Sequence, residues 1–236
     1  LQEQKTAAET ANITKSQFLA AASHDLRQPL HALALYTDAL GDRMTSGKDL
    51  EIVLSIRRCL SALEDLFQSL LDISRLDAGI IEPKIDHFEL RPLIERLSSD
   101  FEAQAARNGV NFSAECPALV VASDASLLER ILLNLLSNAV RYTDGGSIRI
   151  FAQQDNDKVR ISVADTGPGI PATQHEEIFR EFVQLQNPGR DRSKGLGLGL
   201  AIVRRLADLL GIELGVRSAP GRGSTSAITS SSEISS

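Results

Sequence analysis

The stretch Ser23-His24-Asp25-Leu26-Arg27-Gln28-Pro29-Leu30 decides how this chain is built. Around it apolar residues recur at Leu19, Ala22, Leu26, Leu30, Leu33, Leu40 and Met44, with Thr37 as a polar exception, spaced by threes and fours. That is the period of one helical face, so a long amphipathic helix is expected from about Ala7 to Met44. His24 then falls off the apolar seam and faces water. Gln28 and His31 share its stripe, and the Asp25 carboxylate stands next to it, able to orient an imidazole. Pro29 cannot donate to the carbonyl of Asp25, so a bend is expected one turn past His24. A water-facing imidazole with a carboxylate neighbour beside a kink suits chemistry, although the octet by itself fits a solvated histidine about as well, and His31 is read as solvated.

Beyond a turn at Thr45-Ser46-Gly47-Lys48, a second seam runs Ile52, Ile56, Cys59, Leu63, Leu66, Leu70, Ile73, until Asp77-Ala78-Gly79 ends the helix. Two such helices form a hairpin with one apolar stripe left over, and a second hairpin covering it would give a dimeric four-helix bundle. Cys59 is expected on that seam as a small buried hydrophobe.

Composition agrees with an ordinary globular chain: 236 residues, 42% hydrophobic, 24% charged. The net charge of −6 argues against nucleic acid, and the absence of Trp with only two Tyr weakens a base-stacking reading. No run approaches a membrane span, and the opening Leu1-Gln2-Glu3-Gln4-Lys5 is no secretory signal. Leu1 in place of Met is expected of a piece of something longer. Cys59 and Cys116 are too few and too far apart for a metal cluster, and nothing in them calls for an oxidising compartment.

After a linker at Ile80 to Lys84 the pattern turns mixed. A strand is expected at Ile85 to Glu89, a helix from Pro92 to Asn108, strands at Val110 to Glu115 and Leu119 to Ala122, and a helix from Ala125 to Tyr142 capped by Ser123-Asp124. Strands at Ser147 to Gln153 and Val159 to Asp165 flank a hairpin turn. A helix from Gly199 to Leu210 and strands at Ile212 to Ser218 and Ser224 to Thr229 complete an α+β sandwich, followed by a polar tail.

On the Ala125 to Tyr142 helix, Asn134 and Asn138 lie four apart with Arg141 beyond them, among Leu, Ile, Val and Ala. Buried amides are costly unless they bind something, and amide oxygens beside an arginine suit a metal-bound phosphate; capping of neighbouring backbone is the plainer alternative. Asp165-Thr166-Gly167-Pro168-Gly169 ends an apolar strand, where glycines permit close approach and the carboxylate can accept from an amino group. Lys194-Gly195-Leu196-Gly197-Leu198-Gly199 leads into a helix whose N–H groups can hold an anion, without the ending of a P-loop or the strand-first setting of a dinucleotide fold. Between the glycine segments, Ala172 to Lys194 carries Phe179, Phe182 and a charged run, the makeup of a flap over a ligand latched by two aromatics.

In order, His24-Asp25-x-Arg27-x-Pro29, Asn134 to Ala139, Asp165-x-Gly167-x-Gly169, Phe179-x-x-Phe182 and Gly195-x-Gly197-x-Gly199 resemble the H, N, G1, F and G2 boxes of sensor histidine kinases. The resemblance implies a dimerisation and phosphotransfer domain over residues 1–79, a linker at 80–84, a catalytic ATP-binding domain of GHKL type over 85–229, and a tail at 230–236. It implies ATP and Mg²⁺, with His24 as phospho-acceptor, Asp25 as general base, and Gln28 as a candidate for phosphatase action on the partner. Asn134 and Asn138 would hold Mg²⁺ and phosphate, Arg141 would bind phosphate, and Tyr142 would lie along the nucleotide. Asp165 would take the adenine amino group in a pocket shaped by Gly167 and Gly169, and Lys194, Gly195, Leu196, Gly197, Leu198 and Gly199 would surround the phosphates. The implied partners are a second copy and a response-regulator receiver domain, with a sensor module upstream and a cytoplasmic setting. The rival is a nucleotide-gated clamp like those of gyrase, which phosphorylates no protein. One departure stands out: after Gly221-Arg222-Gly223-Ser224-Thr225 the family continues with an aromatic, here Ser226, so loose packing of the last strand is expected.

Overall fold

A computed structural model describes residues 30–38, 40–41, 48–185 and 197–231. His24, Asp25, Gln28 and Pro29, the turn before Lys48, the charged run with Lys194, Gly195 and Leu196, and the end of the tail lie outside the described residues. The chain divides into two compact units, described separately, with a division between Ile81 and Glu82.

In the first unit, α1 (residues 30–38 and 40–41) and α2 (Lys48–Asp77) are helical. Gly41 faces α2 at contact distance: a side chain there would begin 3.4 Å from Cγ1 of Val53, which is buried. Asp38 and Arg57 pair at 2.9 Å, though both are half exposed, so the pair adds little stability. Thr37, the polar exception, is buried because its hydroxyl donates to the Leu33 carbonyl at 2.6 Å. The seam itself is open. Ile52 is 56% exposed and Ile56 45%, and with Cys59, Leu60 and Leu63 they line an apolar groove on α2. Cys59 is exposed, contrary to the expectation of burial, because the described residues leave this stripe uncovered. Gly79, at φ 62°, ends α2 as the glycine predicts.

The second unit runs β1 (Asp86–Glu89), α3 (Leu90–Arg107), β2 (Val110–Glu115), β3 (Val120–Ser123), α4 (Ala125–Tyr142), β4 (Gly146–Asp155), β5 (Lys158–Asp165), two short 3₁₀ turns (Ala172–Gln174 and Glu177–Phe179), α5 (Gly199–Leu210), β6 (Glu213–Ser218) and β7 (Ser224–Ser231). The sheet has the order β2-β4-β5-β7-β6, with β2 parallel to β4 and every other pair antiparallel; β1 and β3 form a separate two-stranded ribbon. Ile148 and Ile150 of β4 and Val159, Ile161 and Val163 of β5 alternate onto one face, where they meet Leu128, Ile131, Leu132 and Leu136 of α4 and Ile202 and Leu206 of α5 in the core.

Helix α3 begins two residues before the expected Pro92, which sits at its third position. The first four N–H groups of a helix have no intrahelical partner, so proline costs no hydrogen bond there. Asp124 caps α4, accepting from the Ser126 and Leu127 amides at 2.9 and 3.1 Å and also from the Lys84 amide at 2.8 Å. The last strand does not pack loosely. It lies inside the sheet between β5 and β6, with Ile228 buried, so its ladder bonds and core contact make the missing aromatic dispensable.

Candidate functional site

Helix α4 is the wall on which the separate motifs meet. At its middle, Gly199 at the start of α5 lies so close that a side chain would begin 2.9 Å from Oδ1 of Asn134 and 3.9 Å from Nδ2 of Asn138. At its end, a side chain on Gly167 would begin 2.9 Å from the Tyr142 carbonyl and 2.9 Å from Oδ1 of Asp165. From Asn134 to Tyr142 is about 12 Å along the helix. The two glycine motifs, some thirty residues apart in sequence, thus bracket one stretch of α4.

Asp165 ends β5, partly buried, and its Oδ1 accepts the Gly167 amide at 2.9 Å. Burial pushes its carboxyl above the usual range, against the pull of hydrogen bonds from the backbone of Gly167 and Ser224. A carboxylate at the mouth of a strand has about four lone-pair positions, so two backbone hydrogen bonds leave it accepting capacity for an amino group. Gly169, at φ 71°, takes a conformation that side chains avoid, and a Cβ there would collide with the Ala219 carbonyl.

Asn134 makes the plainer of the two expected contacts and keeps its oxygen turned to the start of α5. Its Nδ2 donates to the Arg130 carbonyl at 2.8 Å, the plain backbone contact, while its oxygen turns toward Gly199. Helix α5 starts at Gly199 with Leu198 at its cap and no side chain capping it, so its first N–H groups, near the two asparagines, suit an anion. Arg141 is exposed at the end of α4, as is Tyr142. Gly197, at φ 73°, accepts the Phe182 amide at 3.0 Å. Phe179 lies under the Arg204 guanidinium at 4.5 Å and Glu181 pairs with Arg205, tying the segment after β5 to α5. The Phe182 ring is 59% exposed, and the hold of this residue on Gly197 runs through its amide.

Three positions that the sequence patterns did not single out support the site. The Thr166 hydroxyl accepts the Ser147 amide at 2.9 Å and pins the glycine turn to β4. Arg130 carries a partly buried guanidinium, its pKa lowered by desolvation, one turn ahead of Asn134. Ser218 joins the turn to the β6–β7 connection. Nothing periodic marks such residues; only the tertiary fold gives them partners. No group of residues able to hold a metal through His, Cys, Asp or Glu occurs among the described residues, and the side chains beside Gly199 are the amides of Asn134 and Asn138.

These features define a nucleotide-binding α/β sandwich. The family described as "Histidine kinase-, DNA gyrase B-, and HSP90-like ATPase" matches residues 123–233, and "His Kinase A (phospho-acceptor) domain" matches residues 14–79. An uncharacterized sensor-like histidine kinase of Rhizobium meliloti is 33% identical over 235 residues, 97% of this chain and 45% of that protein. The sensor histidine kinase AruS of Pseudomonas aeruginosa is 32% identical over 233 residues, 95% of this chain and 23% of that protein. The crystal structure of full-length ShkA in complex with AMPPNP superposes with a TM-score of 0.75 at 29% identity, covering 91% of this chain and 45% of that one. The chain belongs to the sensor histidine kinases, with a phospho-acceptor domain ahead of a GHKL catalytic domain. It spans less than half the length of these relatives. No described helix is long and apolar enough to cross a membrane.

Proposed function

We infer that this chain phosphorylates itself on His24 with ATP and passes the phosphoryl group to an aspartate of a response-regulator receiver domain. The observation that carries the reading is the convergence on α4, where Asn134 and Asn138 meet the uncapped start of α5 while Asp165 and Gly167 lie at the helix's other end. A nucleotide can lie along that span, adenine at Asp165 and phosphates at α5. The amide oxygens of Asn134 and Asn138, hard donors beside an anion site, fit Mg²⁺ shared with the phosphates, and such an ion would neutralise charge developing on the transferred group.

In the reaction, Nε2 of His24 attacks the γ-phosphorus with its lone pair, the bond from that phosphorus to the bridging oxygen breaks, and ADP leaves. Asp25 holds the Nδ1 proton, keeping Nε2 unprotonated and nucleophilic. Arg141 and the Lys194 to Gly199 segment bind the phosphates, and Tyr142 lies along the nucleotide. Residues 1–79 serve as the dimerisation and phosphotransfer domain, 80–84 as linker, 85–229 as the ATP-binding domain and 230–236 as tail. A second copy covers the groove at Ile52, Ile56 and Leu63. A sensor module works upstream, in a cytoplasmic setting that supplies ATP. Gln28 positions a water against the phosphorylated regulator; if Gln28→Ala leaves dephosphorylation of that regulator unchanged, this role is wrong.

Incubation with γ-labelled ATP and Mg²⁺ tests the reading. Wild type acquires acid-labile label, whereas His24→Ala binds nucleotide but takes up none. Turnover of ATP with no labelled protein would favour the gyrase-like clamp instead.

A further inference from the structure

Ser218, the last residue of β6, makes a hydrogen-bond junction that no motif announces. Its hydroxyl proton goes to the Gly223 carbonyl at 2.8 Å, and its oxygen accepts the Ile170 amide at 2.7 Å. Ser224 Oγ lies 2.9 Å away, and with the Ser218 proton already committed, Ser224 is the donor. One donor and two acceptor sites exhaust a hydroxyl, so Ser218 is fully engaged. Ser224 in turn supplies the backbone hydrogen bond that pulls on the Asp165 carboxyl. The Gly221 amide donates to the Pro168 carbonyl at 2.7 Å, and any side chain on Gly223 would collide with the Asp165 carbonyl. The turn from Asp165 to Ile170 is therefore fastened at both ends to the β6–β7 connection, and Ser218 is the side chain that joins them.

We propose that Ser218 is a positioning residue for purine specificity: by holding Ile170 and Gly223 together it fixes the Asp165 carboxylate where it can distinguish an amino group from a carbonyl at the purine 6-position. This rests on the reading that Asp165 receives the adenine amino group. An isolated loop would let the carboxylate drift to relieve repulsion from a carbonyl; a fastened one cannot, so rejection depends on the fastening.

Binding of ADP and of IDP, which carries a carbonyl in place of the amino group, is measured for wild type, Ser218→Ala, Ser218→Thr and Asp165→Asn. Wild type prefers ADP. Ser218→Ala narrows the ADP-to-IDP ratio by roughly tenfold, the equivalent of one hydrogen bond, and Ser218→Thr, which keeps the hydroxyl, restores it. Should the alanine variant not fold, Ser218→Cys fills the same space with a weak hydrogen-bonding group and carries the same expectation. If the Ser218 variants lose thermal stability while the ratio stays at the wild-type value, the residue is merely structural and the proposal fails. If wild type itself does not distinguish ADP from IDP, or Asp165→Asn leaves the ratio unchanged, the adenine reading of Asp165 fails first.

Discussion

Two aspartates in the catalytic domain have opposite electrostatic histories, and each predicts a pH dependence. Burial raises Asp165 above its ordinary value of 3.8, so the folded chain holds that proton more tightly than the unfolded one. The contribution favours folding below the unfolded value and is lost as the pH rises through the folded one. Asp165→Asn should therefore raise the melting temperature of the nucleotide-free protein at neutral pH, the gain vanishing below about pH 4, while weakening ATP binding roughly 10- to 100-fold. Paired calorimetric melts and titrations check both halves. At Asp124 burial also acts upward, but hydrogen bonds from Ser126, Lys84 and Leu127 outweigh it and hold the carboxyl below 3.8. Its contribution is present above the unfolded value and lost as pH falls through the folded one. Asp124→Ala should cost about 1 kcal/mol at neutral pH, with Asp124→Asn close to wild type, in denaturant titrations.

At the scale of elements, α4 and α5 are joined by what Gly199 lacks. Alanine there would improve helix propensity, yet its Cβ would press on the Asn134 oxygen, the end of a side chain that can swing away. Gly199→Ala should keep the melting temperature within about 2 °C of wild type, as the propensity gain offsets the displacement, and weaken ATP binding at least tenfold by moving Asn134; titration alongside a thermal melt separates the two. The bounds of α4 and α5 were legible because capping by Asp124, a closing Gly211 and an unbroken 3.6 period all agree. The start of α3 was not, since a proline can occupy any early position of the first turn. Asn134, Asp165 and the glycines were legible as polar or flexible residues set in apolar surroundings. Ser218 and Thr166 were not, because such a hydroxyl at a strand end has no local signature and takes its meaning from a partner on another segment, Ile170 for the one and Ser147 for the other.

At the largest scale, the apolar seam of the hairpin is the feature that the described residues leave uncovered. Leu33, Leu40, Ile52, Ile56 and Leu63 remain exposed, so the period that promised a buried face describes a face that the described residues leave open, and the proposed second copy is what would cover it. Ile56→Glu should convert a dimer to a monomer in sedimentation, whereas the same change at an exposed polar position such as Gln154 should not. Cys59, on the same stripe, should react with a bulky thiol reagent faster in the Ile56→Glu chain than in wild type.

The proposed reaction requires that a nucleotide bound by the catalytic domain serve His24. The most direct measurement is the location of the phosphoryl group after incubation with Mg·ATP, mapped by mass spectrometry of peptides kept in base. The expected result is a single phosphoryl group on the peptide bearing His24, lost in acid, absent in His24→Ala and reduced at limiting ATP in Asp165→Asn. A phosphoryl group on another residue, or ADP accumulating with no modified peptide, would contradict it.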